Sequence, residues 1–330
     1  MSKAFRTGRP SGWSAPCGTI ERRQPQLGLV IGPGPATSRD RRWRRIVASD
    51  LRANETTRTF QYHAGPVSAP DSLLIEREDA LLEIHINRPD RRNAIDEGTA
   101  RRIASALQDA NLDSTVRAVL LTGVGEDFCT GADMVAMGDQ AGKISPLDFR
   151  FASRHFYAMN RSLWEIEKPV VSAVNGTVAG AGWSLALLAD LVVAARGARW
   201  THVFSRRGMV PHAGDTYFLP RVLPLHHLTE LAMLSETVTS EHLDRLGTIN
   251  RLVGRDEVLP TARELAFRLA EGPTRALGLT KRLYRNSLNR DIETVLEDER
   301  TATALISTTD DRLEGVRSLV EKRPPRFTGN

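Results

Sequence analysis

The chain has 330 residues, 41% of them hydrophobic and 26% charged, the balance of an ordinary water-soluble globular protein. No apolar run approaches the roughly 20 residues needed to span a bilayer, and the opening "MSKAFRTGRPSGWSAPCG" lacks the apolar core of a secretory signal. Two cysteines, Cys17 and Cys129, exclude a disulfide framework and have no partners at zinc-site spacing, so a reducing cytoplasm is the expected compartment.

The net charge of +5 is unevenly spread. Residues 1–70 hold 12 Lys/Arg against 4 Asp/Glu, a surplus of +8, which leaves the other 260 residues at −3. Within the extension, "RDRRWRRIV" could be a basic arm touching phosphate or a membrane surface. No nucleic-acid or membrane partner is expected for the slightly acidic body. "GRPSGWSAPCG", "IGPGPATS" and "HAGPVSAP" are rich in Pro, Gly and Ser and hold no lasting apolar period. Residues 1–70 are therefore expected to be a disordered basic extension, or a stretch translated upstream of the true start.

Order is expected from Ser72. "LLIEREDALLEIHINRP" gives two short apolar runs around a charged turn, a strand hairpin. "ARRIASALQDANLD" places Ile103, Ala106, Leu107 and Ala110 at helical spacing, and "VRAVLLTGVG" reads as a buried strand. "RHFYAMNRSLWEIEK" is helical up to Pro169, "VVSAVNG" is a second buried strand, and the small-residue turn "GTVAGAGW" leads into a helical "SLALLAD" and a further strand, "LVVAA". Beyond Arg221 come successive amphipathic helices with few strand signals, from "LHHLTELAMLS" to "DDRLEGVRSLVEKR". The expected organisation is an α/β core over 71–224 and a helical region over 225–330.

Two junctions, "CTGADM" and "NGTVAGAGW", are rich in small residues, which matter because a backbone N–H reaches a ligand only where no side chain intervenes. If "SLALLAD" is helical, Ala181 and Gly182 stand at its positive end, able to bind an anion or a polarised carbonyl oxygen. Tight packing of helix on strand explains the same glycines equally well. A third stretch, "GMVPHAGDTYFLPR", sets a histidine and a carboxylate three residues apart on a bend. No cluster has metal spacing, and no metal is expected.

Taken in order, "INRPDRRNAID", "VLLTGVGEDFCTGADM", "KPVVSAVNGTVAGAGWSLALLAD", "GMVPHAGDTYFLPR" and "TDDRLEGVRSLVEKRPPRFTG" resemble the crotonase superfamily, the enoyl-CoA hydratase/isomerase family, over roughly residues 72–329. The resemblance implies a crotonase-like spiral of ββα units. It also implies a C-terminal helical region that builds a homotrimer, often stacked into a hexamer. The implied substrate is an acyl-CoA thioester, with no cofactor beyond the coenzyme A it carries, converted through an enolate held by two backbone N–H groups. By motif these belong to Ala132 and Ala181. Arg91, Arg92 and Ala94 correspond to the region passing the nucleotide end of coenzyme A. Gly131, Asp133, Met134, Gly180 and Trp183 surround the donors, and Tyr217 follows the bend; these are expected at the acyl site, with core packing an equal reading for Trp183 and Tyr217.

The two catalytic glutamates of hydratase relatives fall at Ser184 and Phe204, neither of them acidic, so the usual two-carboxylate hydration cannot run here. His212 occupies a position where isomerase relatives carry a carboxylate and a dehalogenase branch a nucleophilic aspartate. Histidine, with an ordinary pKa of about 6.5, can take and return a proton near neutrality. Asp215 at i+3 would orient the ring, or serve as the base itself. The plain alternative makes His212 a turn residue and Asp215 an N-cap. His155 and His202 rank lower, and Cys129 reads as a small buried hydrophobe. The expected activity is isomerase-like, with a variant hydratase, decarboxylase or thioesterase, or a non-catalytic acyl-CoA binder, as alternatives. A chain beginning near Val67 is expected to melt cooperatively and keep full activity, as thermal unfolding and turnover of the two forms side by side will determine.

Overall fold

In the computed structural model, which describes residues 72–135 and 145–330, strands of two lengths are laid down in alternation. The basic extension over 1–70 lies outside the described residues. β1 (Leu73–Glu78) and β2 (Leu81–Ile86) form the expected antiparallel hairpin. β3 (Ala118–Gly123), β5 (Val170–Val174) and β7 (Leu191–Ala195) then add in parallel, and β10 (Arg251–Val253) closes a six-stranded sheet in the order β1-β2-β3-β5-β7-β10. After each of β3, β5 and β7 comes a three-residue strand: β4 (Asp127–Cys129), β6 (Thr177–Ala179) and β8 (Arg199–Thr201). These short strands pair in the same order and, with β9 (Thr237–Thr239), form a second sheet. Each turn of the chain thus contributes one strand to each sheet, and the two sheets advance together as a spiral.

The pleat sorts the core. Along β3, Ala118 and Leu120 face one side and Val119 and Leu121 the other, as strand geometry requires. The first side is small and flat: Ala118, Ala173 and Ala195 receive the Ala262–Ala266–Ala270 stripe of the helix Val258–Ala270. The second is larger. It packs against α1 (Glu97–Leu112) and α3 (Arg154–Glu165), whose Ile103, Leu107, Met159 and Leu163 are buried; α2 (Pro146–Ala152) precedes α3. Asp96 caps α1 by accepting the Thr99 N–H at 2.7 Å.

Two expectations need correction. The turn "GTVAGAGW" contains a strand, β6, and the helix after it, α4 (Gly182–Leu187), is only six residues long. The region beyond Arg221 is mainly helical, yet β9 joins the small sheet and β10 the edge of the large one. Three-residue strands carry too little alternation to be visible as a pattern.

One carboxylate gathers several of the ties between the C-terminal helices and the core. Asp190 accepts Lys281 Nζ at 2.8 Å and Arg285 Nη2 at 2.9 Å, both from the helix Thr274–Ser287, and the Val170 N–H at 2.8 Å. Burial pulls the Lys281 ammonium down to about 8, against the attraction of Asp190. Between about pH 8 and 10.4 the unfolded lysine therefore binds more protons than the native one, so this residue adds stability as pH rises through that window. The melting temperature of the wild-type protein should gain on that of Lys281→Met between pH 8 and 10, and the two should run parallel below pH 7.

Candidate active site

The local order of the site begins in "NRPDRRNAID". Arg92 and Asn93 both adopt left-handed backbone, with φ of 54° and 55°. The fully buried Asn93 stabilises this turn: its amide donates to the Val124 and Asp127 carbonyls, and its oxygen accepts the Arg88 N–H. Arg88 donates to the Ala94 carbonyl at 2.6 Å and to Asp133 Oδ2 at 2.8 Å. That guanidinium thereby ties the 88–96 loop to the 130–133 loop, a role that the sequence reading did not assign to it.

Between these loops runs a single parallel bridge, Ile95 to Ala132. The Ile95 N–H reaches the Gly131 carbonyl at 2.7 Å and the Asp133 N–H reaches the Ile95 carbonyl at 2.8 Å. In such a bridge the groups of the middle residue point away, so the Ala132 N–H faces the cavity with no hydrogen bond among the described residues. The Ala181 N–H, just ahead of α4, is likewise unengaged among the described residues. The two loops touch. A Cβ on Gly131 (φ 91°) would lie 2.7 Å from the Ala179 carbonyl oxygen and 3.1 Å from the Ala181 nitrogen, and one on Gly182 would lie 2.3 Å from the Cys129 carbonyl oxygen. Cys129 is fully buried, and desolvation pushes its thiol up to about 12, the inert hydrophobe expected of it.

Both alanines open onto a cavity of about 1180 Å³. Among the expected site residues Arg91, Arg92, Ala94, Asp133, Met134, Gly180, Phe204 and His212 also line it. The far wall is apolar, with Phe149, Phe156, Val203 and Met209. Arg92 is not free for phosphate: it holds Asp127 through two hydrogen bonds of 2.9 and 3.0 Å. Burial pulls the Asp127 carboxyl up, but the bonds from Arg92 and Thr177 outweigh it and hold it below the ordinary range. Glu97 lines the cavity as well, its carboxyl raised by burial against the pull of Arg154. Glu97 was not among the residues expected at the site.

Five expected residues do not line the cavity: Gly131, which packs against the Ala179–Ala181 turn, and Trp183, Tyr217, Ser184 and Asp215. Trp183 is fully buried, its ring edge-on to Trp200 at 5.4 Å, and belongs to the core. Tyr217 packs on Trp164, accepts from Asn289 Nδ2 at 2.6 Å, and has the Arg221 guanidinium 3.7 Å above its ring. It links the bend to the C-terminal helices. Ser184 is fully buried and donates to Asp215 Oδ1. Asp215 does not stand beside His212. Ala213 (φ 57°) and Gly214 (φ 94°) turn left-handed between them, which undoes the helical i+3 geometry expected of the pair. Asp215 points inward, 2% exposed, with Oδ2 3.6 Å from His202 Nε2; His202, 1% exposed, is absent from the cavity wall, as is His155. His212 faces Phe204 edge-on at 5.1 Å, with Nδ1 3.3 Å from the Val210 carbonyl oxygen.

The sequence showed no metal spacing, but pairing across the first hairpin sets Glu76 opposite Glu83 and gathers Glu76, Glu83 and His85 within 4.8 Å. Arg263 already neutralises Glu83 at 2.8 Å. A second cavity, of about 340 Å³, lies between Trp164–Glu167 and the helix carrying Lys281, away from the donors. Among the described residues no helix is long and apolar enough to cross a membrane.

Two unengaged backbone N–H groups over an apolar-walled cavity, on loops that follow neighbouring strands of the small sheet, are chemically suited to hold a polarised carbonyl oxygen. Residues 76–330 match the family model for enoyl-CoA hydratase/isomerase. The chain is 35% identical over 258 residues to the 1,2-epoxyphenylacetyl-CoA isomerase of Escherichia coli K12, covering 78% of this chain and 98% of that one. It is 31% identical to the carnitinyl-CoA dehydratase of Salmonella enteritidis PT4, covering 78% and 99%. The crystal structure of an enoyl-CoA hydratase from Polaromonas sp. JS666 superposes with a TM-score of 0.74 at 28% identity, covering 78% and 99%. The chain belongs to the enoyl-CoA hydratase/isomerase family of the crotonase superfamily, and is an enzyme of that isomerase/hydratase type.

Gly131→Ala should cost about 2 kcal/mol or more, since left-handed backbone and a clash with the Ala179 carbonyl combine at one atom. A denaturant titration measures the loss; unchanged stability would mean that the two loops do not meet as described.

Proposed function

We propose that the cavity binds a coenzyme A thioester whose carbonyl oxygen sits between the Ala132 and Ala181 N–H groups, and that the enzyme shifts a double bond along the acyl chain through an enolate. The observation that carries this reading is the pair of unengaged amides on touching loops with an imidazole on the wall of the same cavity. His212 takes a proton from the acyl chain, the electron pair moves onto the thioester oxygen held by the two amides, and the imidazolium returns the proton to another carbon. Protons alone move, so the step balances without a cofactor. With Nδ1–H donating to the Val210 carbonyl, Nε2 carries the lone pair that does this work.

Isomerisation is favoured over hydration because Phe204 exchanges no proton and Ser184 is already committed to Asp215. The relative that is an isomerase by name supports this choice, while the dehydratase relative keeps the family's other reaction in view. The aromatic rings of Phe149, Phe156 and Phe204 suit an apolar acyl group, with the exposed Arg91 at the nucleotide end. Assembly as a trimer, or a hexamer of two trimers, is part of the proposal. It is supported by exposed Leu305, Leu313, Val316, Leu319 and Val320 on the last two helices. A cytoplasmic location completes it.

In deuterated water, at least one member of a panel of butyryl-, crotonyl- and phenylacetyl-CoA should exchange α- or γ-protons. His212→Gln should slow that exchange by about 10²- to 10⁴-fold while the affinity for the thioester changes little. Exchange by the variant at the wild-type rate would remove His212 from the mechanism.

A further inference from the structure

Three residues after His212 in the chain stands a buried carboxylate that the proposed reaction does not use. Asp215 is 2% exposed, and its two oxygens go in two directions. Oδ1 accepts from Ser184 on α4, and Oδ2 lies 3.6 Å from His202 Nε2, too far for a hydrogen bond. Of nine buried side-chain atoms without a hydrogen-bond partner among the described residues, four are here: Asp215 Oδ2, both ring nitrogens of His202, and Trp183 Nε1. So much unmet polarity in one place stabilises nothing by itself, and asks what else retains it.

We propose that Asp215 is a positioning residue, a pin that fixes the Ala181 amide relative to the His212 imidazole. Ser184 lies three residues after Ala181, and Asp215 three residues after His212, so their hydrogen bond joins the two elements close behind their working groups. A second route leaves the same carboxylate through rings. His202 packs against Phe204 with centroids 4.9 Å apart, and Phe204 packs edge-on to His212 at 5.1 Å. On its other side the His202 ring meets Trp183 of α4 at 5.7 Å. One anchored carboxylate thereby braces both the oxyanion donor and the proton carrier. The bend places two consecutive residues, Ala213 and Gly214, in left-handed backbone, a conformation that persists only where its surroundings hold it; Asn160 does so at one point by donating to the Ala213 carbonyl at 2.8 Å, and Asp215 at a second.

The inference rests on the reading of Ala181 and His212 as the working groups, and two measurements separate the fate of each. In the first, Asp215→Asn and Ser184→Ala are compared with wild type in deuterium exchange of whichever panel thioester exchanges fastest. The maximal rate should fall at least tenfold in both, with the half-saturating concentration moving less than threefold. Rates within twofold of wild type, or a rise in half-saturation matching the fall in rate, would overturn the pin. In the second, which needs no substrate, hydrogen exchange of the amides over residues 208–218 is followed in the same variants. It should quicken at least tenfold there while the amides of β3 and β5 keep their protection. Unchanged exchange over 208–218, or equal loosening of the whole core, would sink the proposal. If no thioester exchanges with the wild-type enzyme, the functional reading falls and this second measurement alone decides the pin.

Discussion

The site exists because two pieces of backbone approach until they touch. At Gly131 and Gly182 an added methyl group would overlap a carbonyl oxygen of the facing loop, so hydrogen must stand there. What the contact secures is the arrangement of amides: the Ile95–Ala132 bridge consumes the polar groups on either side of Ala132 and leaves its own N–H pointing outward, beside the similarly unengaged N–H of Ala181. Fixed donors of this kind stabilise a developing negative charge without having to reorganise when it appears. Side chains would need to be oriented first; these amides are oriented by the fold.

That contact in turn depends on the small sheet. β4 delivers the Thr130–Ala132 loop and β6 delivers the Gly180–Gly182 turn, and the two strands are parallel neighbours. Their register therefore sets the spacing of the donors. Behind them the large sheet supplies stiffness, packed on one face by alanines and on the other by larger aliphatic side chains. Arg88 completes the frame from outside. Its ties to Ala94 and Asp133 hold the loop of the Ile95 bridge against the loop of the first donor, at a place where only the guanidinium fork reaches both.

Around this part the proposed acid–base group, His212, is held differently. His212 sits on a left-handed bend, and its neighbour in sequence, Asp215, is turned away into the core. The spacing of three residues suggested partners on one helical face, but two consecutive positive φ values divide them. What replaces the direct contact is a longer path through His202 and Phe204, whose rings lie between the carboxylate and the imidazole.

How much of this was legible in the chain depended on the range of the interaction concerned. Segments whose burial repeats over several residues could be read directly: the first hairpin, α1 with Ile103 and Leu107, the buried strands β3, β5 and β7, and the long C-terminal helices all follow from local periodicity. Ala132 and Ala181, proposed as the donors, could be singled out because small residues in a row leave a mark in sequence and the family motifs point to them. The three-residue strands of the small sheet were not reachable, since so short a strand has no period and takes its form from its neighbour's hydrogen bonds. Nor were the partners of side chains far apart in sequence. Ser184 meets Asp215, His202 approaches it, and Trp183 and Tyr217 turn away from the cavity, because each position is set by the direction in which a packed element faces. Local propensity chose the elements; which polar groups would share a pocket was decided only when two sheets and their helices closed around them.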